Sequence, residues 1–502
     1  MKTTMATRFA LVLGLVSLAL AVSAEAMDLD WAGQFRAESH WVHNYALDSS
    51  ATDFSAGGGG SGYSIAKGGE KTAQFQTLFL RLKPKLTVND NVYIKSEWWL
   101  GDPVFGLFGD SAPYTRDQKN WYSTQSRGAT IRAQRFYGEF ITDVGTVDVG
   151  RAPLNYGLGL VWSSGDGLWD RYESTGDQIR LLAKFGAFTV SPAAVKYSMG
   201  NTIGGACNGA TCTPAAGGGG LSDYSLLFKY ENPDEDFEGG VNFIKRVAGG
   251  SQDATSGYFT LNSAPGGMNF NTWDLYGKKT LGRFSIAGEV PIVSGDLSGV
   301  SYKTWAAALE AGWKMNDSWE TQVRAGHAPG QPNSTSARPD RFEAFYFNPN
   351  YKPALILFNY QLANFARAQT LNNSATDPAS LASPYDNPVT NANYLTLGLG
   401  YKTDKWRFSG KYVFANAVET CTAGTQCFNT WRRTYEASTA SQSSSLGWEM
   451  DYGASLQWDE NFVFGLDLGW YFPGDFYKYS NAASENSLSS VFATVFRVGV
   501  NF

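Results

Sequence analysis

The chain is poor in the residues that most often carry chemistry: 502 residues hold 3 histidines and 4 cysteines. So few histidines leave little material for a metal centre or for a base beside a nucleophile, and an enzyme is not expected. His40 and His43 stand three apart, which on a strand puts them on opposite faces, and no metal site is read there. Gly68-Gly69-Glu70-Lys71-Thr72 has glutamate where a phosphate loop needs glycine, and Gly109-Asp110-Ser111-Ala112 lacks the second glycine of a nucleophile elbow. No cofactor is implied. Beyond the N-terminus no run approaches 18 apolar residues, which excludes further spanning helices. The net charge of −6 lacks the basic excess that nucleic-acid binding requires.

The cysteines form two local pairs, Cys207 with Cys212 and Cys421 with Cys427, each in a polar Gly/Thr-rich loop without histidine. A disulfide in each is expected, and closing a loop of about six residues contributes roughly 2 kcal/mol.

What is abundant is glycine, 55 residues, and aromatic side chains, 15% of the chain. They fall in alternating segments. In the last one Phe502, Val500, Val498, Phe496, Thr494 and Phe492 share one face, while Asn501, Gly499, Arg497, Val495 and Ala493 share the other. The same contrast recurs in Phe462, Phe464, Leu466, Leu468 and Trp470 against Asp467, and in Trp305, Leu309 and Trp313 against Glu310. A charge on a lipid face at mid-bilayer costs about 2–4 kcal/mol per Lys or Arg, and nearly all mid-strand charge here lies on the opposite face. Strands of about ten residues with aromatics near their ends suit a membrane barrel better than a sandwich, whose strands run about five or six.

Lys2 and Arg8 precede an uncharged run from Phe9 to Ala24, and Ala24-Glu25-Ala26 supplies a small-x-small cleavage pattern; a cut after Ala24 is the alternative. Residues 1–26 are therefore expected to be an export signal, with 27–502 forming a single all-β domain. Eight short turns, near residues 89, 142, 186, 232, 281, 315, 403 and 458, alternate with nine long connections, near 46–70, 101–128, 152–176, 199–220, 248–269, 293–302, 328–390, 417–446 and 472–489. That pattern predicts an antiparallel transmembrane barrel of about 18 strands, with 16 or 20 left open because 328–390 could hide a hairpin. Short turns would be periplasmic and long loops extracellular.

Charged residues on the inward face then become the candidate pore lining: Arg81, Arg135, Arg151, Arg180, Arg324, Arg407, Glu310, Glu449 and Asp451. Both signs occur in similar number. Either they segregate across the pore and set ion preference, or neighbouring strands pair them to stiffen the wall. Leu158, Leu160, Val161, Trp162, Leu168 and Trp169 are too apolar for a solvated loop, so 152–176 is expected to fold into the barrel mouth, bringing Asp166, Asp170 and Arg171 to a constriction. Phe345-Tyr346-Phe347 and Ala354-Leu355-Ile356-Leu357-Phe358 mark 342–360 as a second inward segment.

Val149-Gly150-Arg151-Ala152-Pro153-Leu154-Asn155-Tyr156-Gly157-Leu158-Gly159, followed by Asp177-Gln178-Ile179-Arg180-Leu181, resembles the alginate-export family and related eighteen-stranded porins over about 35 residues. The resemblance implies an outer-membrane barrel with Arg151 and Arg180 on the lumen wall. A terminal strand ending on Phe502 likewise resembles outer-membrane proteins whose last strand is read by the barrel assembly machinery. A polyanion exporter would need a strongly basic lumen, whereas this wall is mixed, so the resemblance carries the barrel and not alginate. The expectation is a Gram-negative outer-membrane channel, in contact with lipid, passing small hydrophilic solutes or ions. The alternatives are a polysaccharide-export pore and a non-conducting structural or adhesive barrel.

Overall fold

A computed structural model describes residues 28–45, 47, 72–101, 131–197, 207–208, 211–212, 220–248, 267–297, 299–335, 341–360, 362, 387–429, 434–479 and 485–502. The expected signal segment lies outside them. Alternation of apolar and polar residues gives eighteen long strands. The first seven are β1 Asp28–His43, β2 Thr72–Asn89, β3 Val92–Gly101, β4 Ile131–Thr142, β5 Gly145–Pro153, β6 Thr175–Phe185 and β7 Phe188–Lys196. Then come β8 Ser222–Asn232, β9 Phe237–Ala248, β10 Met268–Leu281, β11 Phe284–Leu297, β12 Val300–Trp305 continued by Ala307–Lys314, and β13 Trp319–Ala328. The last five are β14 Ala392–Lys402, β15 Trp406–Asn416, β16 Ser445–Gln457, β17 Phe462–Pro473 and β18 Val491–Asn501.

Each strand pairs antiparallel with the next, and β1 pairs with β18, from Gln34 opposite Asn501 to His43 opposite Phe492, so the ring closes. The seam continues one residue past β18, to Phe502. The Gly33 N–H donates to the Phe502 carbonyl at 2.7 Å, and the Phe502 N–H donates back at 3.0 Å. Gly33 is required there because a Cβ would stand 2.5 Å from the Phe502 ring and 2.6 Å from the Arg81 carbonyl.

β12 is broken at Ala306, whose N–H goes to the carbonyl of Pro291 at 3.0 Å. Proline has no N–H to return, so the ladder is interrupted where it faces Pro291. The region 293–302, expected as a long loop, is instead a hairpin in which Leu297 faces Val300 across a tight turn with Gly299 at φ +74. Its Ser, Gly and Asp content reads as loop, but the residues remain paired. The strand ends from which the other eight long connections leave lie at the same rim, opposite the short turns.

The outer surface shows why the ring suits a bilayer. Trp31, Trp313, Trp319, Trp406 and Trp458 are exposed at the short-turn rim, and Trp41, Trp305 and Trp470 toward the long-loop rim, with Leu309, Val323, Leu397 and Leu466 exposed between them. Two aromatic girdles about an aliphatic belt are the arrangement for headgroups and acyl tails. Among the described residues no helix is long and apolar enough to cross a membrane; the crossing is made by strands.

Candidate functional site, the occupied lumen

The inner wall is not uniformly polar. Toward the long-loop rim, β13–β18 turn small apolar side chains inward, Ala328, Ala392, Val413, Ala415, Val491, Ala493 and Val495, all buried. They are covered by the segment 341–362, which begins as a short parallel addition beside β12 and then crosses the lumen. Phe342, Phe347, Ile356, Leu357, Phe358 and Tyr360 are buried in that contact, each contributing about 1.5–3 kcal/mol over exposure. Chain passing through a lumen still needs partners for its N–H groups. Ile356 and Leu357 donate theirs to the Glu449 carboxylate at 2.6 and 2.7 Å, and Leu355 donates to Asp451 at 3.1 Å. Tyr360 meets His40 at 2.7 Å; among the described residues no group of three or more His, Cys, Asp or Glu side chains is placed to hold a metal ion.

The other inward segment, 154–174 between β5 and β6 and so the first along the chain, is held the same way with the signs reversed. The Arg36 guanidinium donates to the carbonyls of Leu168 and Asp170 at 2.7 and 2.6 Å. Arg135 reaches Asp166 and Glu173, each at 2.9 Å, together with the Ser164 carbonyl, while Lys83 reaches Asp166 at 2.7 Å. Arg171, carried by the loop, reaches Glu38 in β1 at 2.7 Å. On the far wall Glu289 accepts from the N–H groups of Leu158 and Leu160, the latter at 3.0 Å. Burial raises the Asp166 carboxyl, but the Arg135 and Lys83 charges outweigh it and hold the group below the usual carboxylate range. The two segments also clasp each other: Asn350 Oδ1 accepts from Tyr172 N–H at 3.0 Å, and Asn348 N–H donates to the Leu160 carbonyl at 2.7 Å.

The sequence candidates thus separate by task. Arg135, Asp166 and Arg171 bind the first segment to the wall; Asp170 caps its tip, accepting from Gly167 N–H at 2.8 Å. Glu449 and Asp451 bind the second. Arg81 is buried in the wall beside Glu97 at 3.1 Å, its guanidinium lying over Phe79 and Trp99. Arg180 pairs with Asp148, and Arg324 with Glu310 at 3.2 Å, across neighbouring strands. Arg407 faces an open space and makes no ion pair among the described residues. Arg151 does not face the lumen. It shares the outward face with Val149, which is exposed, and forms an ion pair with Asp177 at 2.8 Å beside exposed Ile179. The reason is arithmetic: Asp148, buried on the inside, is three residues away, and positions three apart on a strand point oppositely. Sequence reasoning left out Arg36 and Glu38, although both follow the inward parity of β1. It also left out Asp223 with Arg246, a buried cross-strand pair at 2.7 Å.

Cys421 and Cys427 are joined by a disulfide. Cys207 and Cys212 are opposed in a small backbone ladder, and their side chains lie outside the described residues.

Among the described residues an open space lies beneath the first segment. A cavity of about 550 Å³ is bounded by Leu168 and Trp169 at the loop tip and by the short-turn halves of β13–β18.

The fold and its lumen define a transmembrane barrel with two internal segments. No family model and no curated protein matches the chain. Solved structures similar along nearly its whole length include OccK11 (OpdR) of Pseudomonas aeruginosa, 7% identical over 95% of this chain and 96% of that one, TM-score 0.49. The anion-selective porin from Comamonas acidovorans is 10% identical, covering 95% and 99%, TM-score 0.41, and Salmonella typhi OmpF in complex with daunomycin is 13% identical, covering 96% and 99%, TM-score 0.40. The assignment of the barrel rests on this chain's own closed strand pairing.

Proposed function

We propose that the chain is a channel of the Gram-negative outer membrane through which small hydrophilic solutes diffuse. One observation carries this: a closed ring with a lipid-type exterior encloses two ordered segments that narrow the lumen and leave an ion-lined cavity beneath them. A barrel serving only as an anchor needs no such cavity. The segments 154–174 and 341–362 are the constriction, and the charges that hold them determine how wide it stands.

The strand β18 with Phe502 beyond it, which bonds Gly33 across the seam, is the segment we assign to recognition by assembly machinery. The resemblance to alginate exporters gains nothing from the lumen, since Arg151 faces outward and most wall cations are paired with carboxylates. Reconstitution in planar bilayers tests the proposal. Steady open conductance is the expected result; a correctly folded protein that stays silent refutes it, and blockade by a uronate polymer would transfer the assignment to polysaccharide export.

A further inference from the structure

Resting on that reading, the geometry points to the cavity beneath the first inward segment as a binding site for small organic carboxylates with an apolar body. Its room comes from inward positions that carry almost no side chain, among them Gly400, Ser409, Gly453 and Gly465. Where the two inward segments lie the lumen is filled by loop; here it is emptied by glycine and serine.

Its charge differs from that of the whole protein. Lys402, Lys405 and Arg407 line it and make no ion pair among the described residues. Arg497 also lines it but is committed to Asp467 at 2.8 Å and Glu38 at 3.2 Å. Glu320 is the remaining carboxylate. Four cations against Glu320 and Asp467 leave this space net positive by two, in a chain whose net charge is −6. A concave site of one sign with low-dielectric walls concentrates counter-ions, and a guanidinium can take a carboxylate through two parallel hydrogen bonds.

Its roof is apolar. Leu168 and Trp169 hang from the loop tip, and the Arg497 guanidinium lies over the Trp169 ring at 5.4 Å, fixing that ring in place. An acid with a hydrocarbon or aromatic portion satisfies both surfaces, its carboxylate at Arg407 and the lysines and its body against Trp169. An inorganic anion satisfies only the first.

Calorimetric titration of the detergent-refolded protein with benzoate, benzyl alcohol and inorganic phosphate reads the site whether or not the barrel conducts. Benzoate is expected to bind about tenfold or more tighter than either of the others. Lys402→Gln with Lys405→Gln and Arg407→Gln should abolish that preference, Trp169→Ala should lower benzoate affinity toward that of phosphate, and Arg407→Lys should restore part of it. If the triple variant does not fold, Arg407→Gln alone serves. Failure of benzoate to bind, equal binding of benzyl alcohol, phosphate as tight as benzoate, or unchanged affinity in the folded charge variant would each overturn the assignment. A silent protein that still binds benzoate sinks the channel and leaves the site standing; a conducting protein that ignores benzoate does the reverse.

Discussion

Removing the carboxylate of Glu449 should loosen the second inward segment without damaging the barrel that surrounds it. The side chain is fully buried and accepts two backbone N–H groups, from Ile356 and Leu357, at 2.6 and 2.7 Å. Leaving a buried donor without its partner costs about 1–3 kcal/mol, so for two the gross loss is about 2–6 kcal/mol. Part of that is returned, because the variant no longer buries a carboxyl group, and a net cost of about 2–3 kcal/mol remains. The ratio of docked to undocked segment should then fall by roughly 30- to 150-fold. Glu449→Gln keeps one acceptor oxygen and should lie between wild type and Glu449→Ala. The strand itself keeps its ladder to β15 and β17, so the folded barrel should form normally, as read by its shifted mobility in unheated gels. Single-channel recording supplies the answer: larger unitary conductance and more open-state noise in Glu449→Ala. A folded variant with wild-type conductance and noise would show that the apolar contacts alone set the segment's position, and the reasoning from buried N–H groups would fail.

Arg180→Ala leaves Asp148 unpaired on the inner wall and should shift the reversal potential in a salt gradient toward cations, whereas Arg151→Ala, on the outer face, should leave it unchanged; equal effects would contradict the assigned faces. Gly33→Val puts a branched side chain against the Phe502 ring and a backbone carbonyl that cannot withdraw, so the barrel should lose about 1–3 kcal/mol and melt earlier, with Phe502→Ala restoring part of the loss. Asp166 is held below its ordinary value, so its hold on Lys83 and Arg135 is complete above the unfolded carboxylate value of about 3.9 and is lost as pH falls through the folded one. Channel noise that depends on Asp166, read as wild type minus Asp166→Asn, should therefore be flat from neutral pH to about 4 and change only below it; a change near pH 6 in that difference would refute the reasoning, whereas one common to both proteins reports Glu173, which burial raises and which pairs with the same Arg135. Cys421→Ser should cost the loop that carries it roughly 2 kcal/mol and expose it to protease, with conductance unaltered.

The strand number and the two faces were legible because a period of two is a local property: Phe496 and Arg497 declare lipid and lumen wherever the strand sits. The apolar character of the two inward segments is a matter of composition, since a run such as Leu355-Ile356-Leu357-Phe358 has no place in water. The hairpin through Gly299 was misread because Ser, Gly and Asp mark loops in general, and only pairing to β10 and β12 keeps them extended. Arg151 was misread against a rule already in use, since Asp148 fixes the parity of β5. The tasks of Glu38, Glu289 and Glu449 were not legible at all. What a carboxylate holds depends on which loop arrives opposite it, and those partners lie 92 to 133 residues away in the chain.

The seam between β1 and β18 has a consequence for how the molecule is made. Its ladder joins β1 to β18, so the ring cannot be locked until β18 exists, and β1 keeps one edge unsatisfied while the strands between them are made. That waiting edge is a template for any stray strand, its own kind included. Until β18 arrives, the hazard of this fold is concentrated on that one open margin.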